Sequence, residues 1–421
     1  MQAENSRHIR PRVVITGMGA ISSLGNNLAS TWQGLVEGRC GVGPITAFDA
    51  SRYLTRIAAE VKDFDARDYM DRRDARRTSA FIHYALAAAR EALAAADLDL
   101  DREDKTRVGL EIGSALGGVQ VTEEGRLLLE QRGPRAINPT LLPAVLINMA
   151  PCYLAIHFGI QGPASSTVTA CTTGISAIGE AMRRVAWGDA DVMIAGGSES
   201  IITPLAIASF SRLGALSTRN DTPERAITPF DAERDGTVLG EGAAVVVLES
   251  LDHALGRGAK ILAEVVGYAL TVDAYHLAKP DPGGLAAARA MTQALREAGL
   301  TAASLDYIAA HGTGTILNDA AETTALKAAL GQRAYHIPVS SVKSMTGHML
   351  GASGAMSVVS IVQAMQTGWL PPTAGYERPD PACDLDYVPN QARKLDVSVG
   401  MANSSGFGGQ NASLVLKRWE S

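Results

Sequence analysis

Residues 166–185 read STVTACTTGISAIGEAMRRV. The β-branched run at 166–170 predicts a strand. Ile175, Ile178, Met182 and Val185 then recur at i, i+3, i+7 and i+10, which is one face of a helix. A single cysteine, Cys171, falls at the corner between the two. Backbone N–H groups and the positive end of the helix dipole at such a corner favour a thiolate. A buried structural cysteine is the plainer alternative, and this stretch alone does not choose between them.

Outward from that corner, strand and helix signals alternate. RVVIT (12–16), ending at Gly17, reads as a buried strand, and helical patterns follow around 28–37 and 78–97. Strand-like runs recur at VGLEIGS (108–114), DVMIAGG (191–197) and AAVVVLE (243–249). A second series begins at KILAEVVGYAL (260–270) and continues through DYIAAHG (306–312), PVSSVK (338–343) and ASLVLKR (412–418). Amphipathic helices are expected at 284–298, 320–330 and 353–367. Such alternation predicts an α/β architecture. Each series ends on an apolar strand, and each has a strand running into a helix start rich in small residues: TACTTG in the first, SMTGHMLGASGA in the second. A duplicated α/β unit is therefore expected, with halves at 11–258 and 259–421 and the boundary in LDHALGRGA (251–259). No low-complexity linker marks it, so the halves are expected to share a core.

Composition removes several function classes. With 421 residues, 46% hydrophobic and 19% charged, the chain can bury a large core. A net charge of −6 argues against broad nucleic-acid binding, which needs a cationic excess. Cys40, Cys152, Cys171 and Cys383 make neither a disulfide framework nor a C-x-x-C zinc pattern. MQAENSRHIRP at the start is too polar for a secretory signal. The most apolar stretch, PAVLINMAPCYLAIHFGI (143–160), is interrupted by Asn148, Pro151 and His157, so no membrane span is expected. A cytoplasmic protein is the resulting expectation. GMGAIS (17–22) begins like a dinucleotide fingerprint, but Ser22 stands where the third glycine is needed.

Other residues bear on Cys171. His311 lies in AAHGTGT, just past an apolar strand, and His348 lies in KSMTGHMLGASGA, five residues after Lys343. Both stand among glycines and small hydroxyl residues, where backbone can bend and a substrate can approach. One cysteine with two histidines would also suit zinc, but Lys343 would repel the cation. In NSSGFGGQNASLVL (403–416), Gly406, Gly408 and Gly409 surround Phe407. Such a loop either places a backbone N–H beside a reacting carbonyl or is a plain glycine turn.

Taken in order, TACTTG, AHGTGT, SSVKSMTGHMLGA and NSSGFGGQN resemble the elongating β-ketoacyl-acyl-carrier-protein synthases, condensing enzymes of the thiolase superfamily. The likeness runs from RVVITGMGAISSLGN through DADVMIAGGSES, FDAERDGTVLGEGAAVVVLE and DAYH to the end. It implies a thiolase-like fold, a duplicated, five-layered αβαβα architecture. It implies that Cys171 carries the acyl chain, that His311 and His348 support decarboxylation of a malonyl thioester, and that Lys343 orients the site. It implies an oxyanion hole from the N–H groups of Cys171 and Phe407, a gate at Phe407, and acyl-pocket positions at Leu116, Ser405 and Phe407. No cofactor and no metal are implied, since the substrates ride on carrier-protein phosphopantetheine. Thiolases that act on coenzyme A need a second cysteine where this chain reads NSSGFGG.

The resemblance also bears on partners. DRRDARRTSAF (71–81) gathers arginines in an otherwise acidic chain. Such a run is by default a solvated helix face. The family docks its acidic carrier protein at a matching segment, and Arg73, Arg76 and Arg77 match it best. Two departures stand out. Related fatty-acid synthases carry glutamate fourteen residues after the lysine, where this chain has Ser357, and Phe two residues before the gate, where it has Ser405. HGTGTILNDAAET, LGQRAYHIPVSSVKSM and PDPACDLDYVP are closer to type II polyketide ketosynthase subunits. Those pair with a chain-length factor lacking the cysteine, whereas fatty-acid relatives pair with themselves. The expectation is an elongating ketosynthase of a polyketide or polyene pathway, with fatty-acid synthesis and a non-catalytic partner subunit as the alternatives.

Overall fold

The computed structural model describes residues 11–420; the polar start, residues 1–10, lies outside them. The first half contributes strands β1 (Val13–Ile21), β2 (Val108–Gly113), β3 (Ala164–Ser165), β4 (Val192–Glu199) and β5 (Gly242–Ser250). The second contributes β6 (Ala263–Val272), β7 (Tyr307–Ala309), β8 (Val339–Ser340), β9 (Val399–Gly406) and β10 (Gln410–Arg418). In hydrogen-bonding order they run β8-β7-β9-β10-β6-β1-β5-β4-β2-β3. Read outward from the middle, each half has the same order. Its first strand is antiparallel to its fifth and the fifth to its fourth, while the remaining pairs are parallel. The ladders join where Val13–Ile15 of β1 pairs with Ala263–Val265 of β6.

Five helices build the layers: α1 (Ala80–Ala95), α2 (Thr173–Trp187), α3 (Leu285–Glu297), α4 (Ile316–Leu330) and α5 (Ser353–Thr367). Helix α1 covers the outer face of the first half's strands, and α3, with α4 against it, covers that of the second. Helices α2 and α5 pack on each other between the two sets of strands, giving five layers. One core cluster draws on both halves, joining Ile175, Ile178 and Met182 of α2 to Val358, Ile361 and Val362 of α5. Among the described residues, no helix is long and apolar enough to cross a membrane.

The glycines of GMGA now have a physical reason. A Cβ on Gly17 would meet the Ala92 carbonyl oxygen at 2.1 Å, and one on Gly19 that of Ala88 at 2.1 Å. They let α1 lie directly on β1, which continues past RVVIT to Ile21. Helix α1 comes more than fifty residues later in the chain, so no phosphate-binding turn joins it to β1.

The expected strand over 166–170 does not form; only Ala164–Ser165 joins the sheet. Short hydroxyl side chains pull that segment away from the ladder. Ser165 and Thr167 donate to the Glu111 carboxylate, Ser166 donates to the Ile112 carbonyl at 2.6 Å, and Thr172 donates to the Thr169 carbonyl. PVSSVK likewise gives only Val339–Ser340 as strand before the chain turns into the short helix Lys343–Thr346.

Gly179 on α2 faces the Tyr268 ring of β6, and a Cβ there would meet the ring atoms at 2.3–2.5 Å. Tyr268 is 1% exposed, and the Arg183 guanidinium, one turn further along α2, also lies over its ring, so the ring has little room to move. Gly179→Ala is expected to cost about 1–3 kcal/mol by overpacking. Urea unfolding should show a lower midpoint at unchanged slope; an unchanged midpoint would mean that the two halves do not pack as tightly as described.

Candidate active site

Cys171 sits in the single 3₁₀ turn Ala170–Thr172, directly before α2. Ala170 takes a left-handed φ of 52°, an unfavourable value for a residue with a Cβ, which turns the chain sharply into the helix. The thiol is buried. Burial pushes its pKa up to about 11, against the lowering effects of the Lys343 charge and of the backbone N–H groups of Phe407 and Cys171. The expected thiolate at a helix start is therefore overruled in the resting protein: desolvation outweighs the dipole.

His311 follows β7 immediately. Its backbone N–H and that of Gly312 donate to the two oxygens of Glu322, at 2.7 and 2.8 Å. Its Nδ1 meets Ser404 Oγ at 3.2 Å, and the same hydroxyl donates to the Cys171 carbonyl at 2.8 Å. His348 is fixed by its N–H donating to the Val238 carbonyl at 2.7 Å and by Nδ1 lying 3.0 Å from Ser353 Oγ. The two imidazoles stand 5.4 Å apart and nearly perpendicular, at 84°. Burial and the nearby Lys343 hold both well below the ordinary histidine pKa, so both are neutral at physiological pH.

Lys343 is 1% exposed and donates through Nζ to the His311 carbonyl at 2.5 Å. Burial pushes its pKa down, while Glu322, Cys171 and Asp319 oppose that shift. The glutamate expected fourteen residues on is absent, and Ser357 instead donates to the Ser353 carbonyl at 3.3 Å. Glu322 is the chief counter-charge.

Cys171, His311, His348, Ser405 and Phe407 line one cavity of about 330 Å³, together with Phe210. Phe407 is 38% exposed and stacks on Phe210 with ring centres 5.8 Å apart. Its loop needs its glycines: Gly408 and Gly409 have φ of 79° and 75°. The Ser405 hydroxyl donates to Asn411 Oδ1 at 2.8 Å, so its polarity is already satisfied.

Leu116 is not part of this cavity wall. It is 44% exposed, and its backbone N–H donates to Glu199. Arg73, Arg76 and Arg77 lie away from the cavity too, on the short helix Arg72–Ala75 and the turn after it. All three are exposed, and none forms an ion pair among the described residues. Asp71 and Asp74, the acidic neighbours, cap backbone N–H groups and accept from the Tyr153 hydroxyl respectively. Among the described residues no group of three or more His, Cys, Asp or Glu side chains is arranged to hold a metal ion. Sequence reasoning missed Glu322 and Ser404. The first stands in the ILNDAAE run after His311, and the second is the first serine of NSSGF.

A duplicated α/β fold with a buried cysteine at one helix start and two neutral histidines facing it defines a condensing enzyme of the thiolase-fold class. Models of the β-ketoacyl synthase N-terminal and C-terminal domains match residues 10–254 and 262–377. The chain belongs to the β-ketoacyl synthase family and is an acyltransferase of the ketosynthase type. It is 49% identical to the 3-oxoacyl-[acyl-carrier-protein] synthase 2 of Synechocystis sp., over 98% of this chain and 99% of that one. The structure is similar to the ishigamide ketosynthase/chain length factor, with a TM-score of 0.92 and 35% identity over 98% of this chain and 100% of that one. It is also similar to a chain from a type II PKS acyl-carrier protein in complex with its ketosynthase bound to the hexaketide. That likeness has a TM-score of 0.90 and 34% identity over 98% of this chain and 100% of that one.

The raised thiol pKa predicts slow alkylation of the resting enzyme. Iodoacetamide should label Cys171 slowly at pH 7, with the rate rising about tenfold per pH unit up to about 11, because only the thiolate reacts. Lys343→Ala should slow labelling at neutral pH, since the lysine charge favours the thiolate. A rate already at its plateau by pH 7 would contradict the burial argument.

Proposed function

We propose that the chain catalyses decarboxylative condensation of an acyl group carried on Cys171 with a malonyl thioester, both delivered by an acyl carrier protein. The observation that carries this reading is the pair of neutral, perpendicular imidazoles lining one cavity with the cysteine. In the first step Cys171 sulfur attacks the acyl thioester and the carrier thiol leaves with the proton. A neutral histidine relays that proton, and the product is an acyl-enzyme. The carbonyl oxygen becomes an oxyanion that the N–H groups of Cys171 and Phe407 stabilise; such donors are worth about 10²–10³-fold each in rate. In the second step the malonyl carboxylate leaves as carbon dioxide, and its electron pair becomes the enolate of the thioester. The Ser404 hydroxyl gives its hydrogen to the Cys171 carbonyl and so accepts from His311 Nδ1–H, which leaves His311 Nε2 as a proton acceptor; with Ser353 donating to His348 Nδ1, His348 Nε2–H is the donor assigned to that oxygen. The enolate carbon then attacks the acyl-cysteine carbonyl, a C–C bond forms and Cys171 leaves as thiolate. Loss of carbon dioxide drives the step, and no metal or nucleotide enters it.

The reading divides the chain as expected, with the nucleophile from 11–258 and the His–Lys–His set and Phe407 loop from 259–421. It places the protein in the cytoplasm. Carrier-protein docking is assigned to Arg73, Arg76 and Arg77, whose unpaired charges would speed encounter with an acidic partner. A second subunit is assigned to the region of helices Val119–Arg132 and Leu141–Val145, where Leu127, Leu129, Leu142 and, just past the second helix, Leu146 are all about half exposed or more. Leu116 adjoins this region in sequence, and its acyl-pocket role belongs to the same proposal.

Two pathways share this chemistry. Fatty-acid elongation by a self-paired enzyme is supported by relatives named 3-oxoacyl-[acyl-carrier-protein] synthase 2 at 45–49% identity. A polyketide or polyene pathway with a chain-length factor is supported by the ketosynthase/chain length factor likeness at 35% identity. Sedimentation of the purified chain, alone and with a cysteine-less homologue, distinguishes them. A non-catalytic subunit is disfavoured by the presence of Cys171.

Cys171→Ala is expected to abolish acyl transfer and condensation while leaving malonyl-carrier decarboxylation measurable. Retained condensation would refute the covalent step. Arg76→Glu combined with Arg77→Glu should raise KM for carrier-bound substrates about tenfold with kcat little changed; an unchanged KM removes the docking assignment.

A further inference from the structure

Glu199 ends β4, is completely buried, and is unused by the mechanism above. Each of its carboxylate oxygens accepts two hydrogen bonds. Oε1 takes Ser114 Oγ at 2.9 Å and the Leu116 N–H at 3.2 Å. Oε2 takes the Ala115 N–H at 2.8 Å and the Gly351 N–H at 3.0 Å. Three of the four partners are backbone N–H groups that can only donate, and all four sites are filled. A protonated carboxyl would point its own hydrogen at another donor, so the four hydrogen bonds favour the anion, while burial, the larger influence, raises the carboxyl pKa above its ordinary value.

The groups joined here come from both halves. Ser114, Ala115 and Leu116 belong to the loop after β2, whereas Gly351 lies in the turn Leu350–Ala352, three residues past His348. That turn is tightly wedged. A Cβ on Gly351 would meet the Ala115 nitrogen at 2.8 Å, and one on Gly197 would meet the Gly351 oxygen at 2.1 Å. Leu350 holds a left-handed φ of 37°, unfavourable for a branched side chain, and the hydrogen bonds around it keep it there. Cys171 packs in one cluster with Leu350 and Ala115, and the Glu199 charge acts on it, raising its pKa and opposing Lys343.

We propose that Glu199 is a positioning residue for condensation, tying the His348 turn to the loop at Leu116 and setting a negative charge near the Cys171 thiol. This rests on the roles proposed above for Cys171 and His348. Lys343 and Glu199 act on the thiol in opposite senses, and the cluster that holds Cys171 lies beside the donors that hold Glu199. The lysine favours the thiolate and the glutamate disfavours it. Burial keeps the sulfur a thiol, and Glu199 adds to that effect while Lys343 opposes it.

Charge and tether separate experimentally, because substitution at Glu199 moves two readouts in opposite directions. In Glu199→Gln the charge is lost, so iodoacetamide labelling of Cys171 at pH 7 should rise about 3- to 10-fold, with its pH profile displaced to lower pH. The amide NH₂ would face donors, the Gly351 turn would loosen, and malonyl-carrier decarboxylation should fall about tenfold or more in kcat. Glu199→Asp keeps the charge but is one methylene too short to reach all four donors. Its labelling profile should stay at the wild-type position while decarboxylation falls. A general structural lesion would lower labelling and decarboxylation together. That joint fall, or an unmoved labelling profile in Glu199→Gln, overturns the proposal. If Glu199→Gln fails to fold, undiminished decarboxylation by Glu199→Asp overturns it instead. Failure of the underlying covalent mechanism would show separately, as condensation retained by Cys171→Ala.

Discussion

The site depends on one close crossing, where the start of α2 meets the start of α5 between the two sets of strands. A Cβ on Gly174 would come within 2.5 Å of the Ala355 nitrogen, and one on Gly354 within 2.9 Å of the Ile175 nitrogen. Only backbone fits there. Because both helices begin at the crossing, the residues just before them, Cys171 and His348, are brought to one place. Each helix contributes unpaired N–H groups and a partial positive charge at its first turn. The duplication thus does more than double the core. It sets two equivalent helix starts face to face and gives one a sulfur and the other an imidazole.

Burial then decides how those groups ionise. With Cys171, His311, Lys343 and His348 all nearly inaccessible, desolvation is the largest cause acting on each. It favours the neutral form of every one: thiol over thiolate, imidazole over imidazolium. A site of neutral donors and acceptors suits a reaction in which charge appears on a substrate oxygen and then disappears. Fixed N–H groups stabilise that transient charge strongly in a dry cavity, since few waters compete and the effective dielectric is low. Lys343 and Glu322 supply opposite charges within this region. The backbone N–H groups of His311 and Gly312 hold the carboxylate in place, so the histidine's position and the site's charge balance are set by the same side chain.

Much of this was legible in the sequence, and the exceptions have a common cause. The helix expected at 353–367 is observed over those residues, and the one expected at 284–298 runs from Leu285 to Glu297, because long amphipathic periods dominate local choice. The strands nearest the site were overread. At 166–170 and 338–343, Ser and Thr hydroxyls bind backbone and carboxylates, and the chain leaves the ladder earlier than β-branched content suggests. Cys171, His311, His348 and Lys343 stood out because rare residue types sat among glycines. Glu322, Ser404 and Glu199 did not, because glutamate and serine are common and their significance lies in partners 11, 93 and 152 residues away. Leu116 is a case of the opposite kind. Its position was inferred by likeness, yet in the single chain its side chain stands partly in solvent.

The two departures, Ser357 and Ser405, follow from how polar groups can be buried here. Around Ser357 the interior is furnished with hydroxyls. The Tyr307 hydroxyl lies 2.7 Å from Ser340 Oγ, and Ser360 donates to the Ser357 carbonyl at 2.8 Å. Neutral hydroxyls that find backbone acceptors cost little to bury, whereas a carboxylate at the same place would need its own donors or a cation. Lys343 gives one Nζ hydrogen to the His311 carbonyl, and Glu322 is the chief charge opposing the effect of its burial. Ser405 obeys the same logic at the cavity wall. Its proton goes to Asn411, and Asn411 in turn donates to Asp273 at 2.7 Å, in the segment that also binds the Phe407 loop through the Asp273 N–H and the Gly409 carbonyl. A phenylalanine at 405 could not donate to Asn411. The serine therefore links the Phe407 loop to its neighbouring segment through hydrogen bonds where an aromatic ring would have acted by bulk, and that loop is held by its backbone and its glycines, with stacking on Phe210 completing the contact.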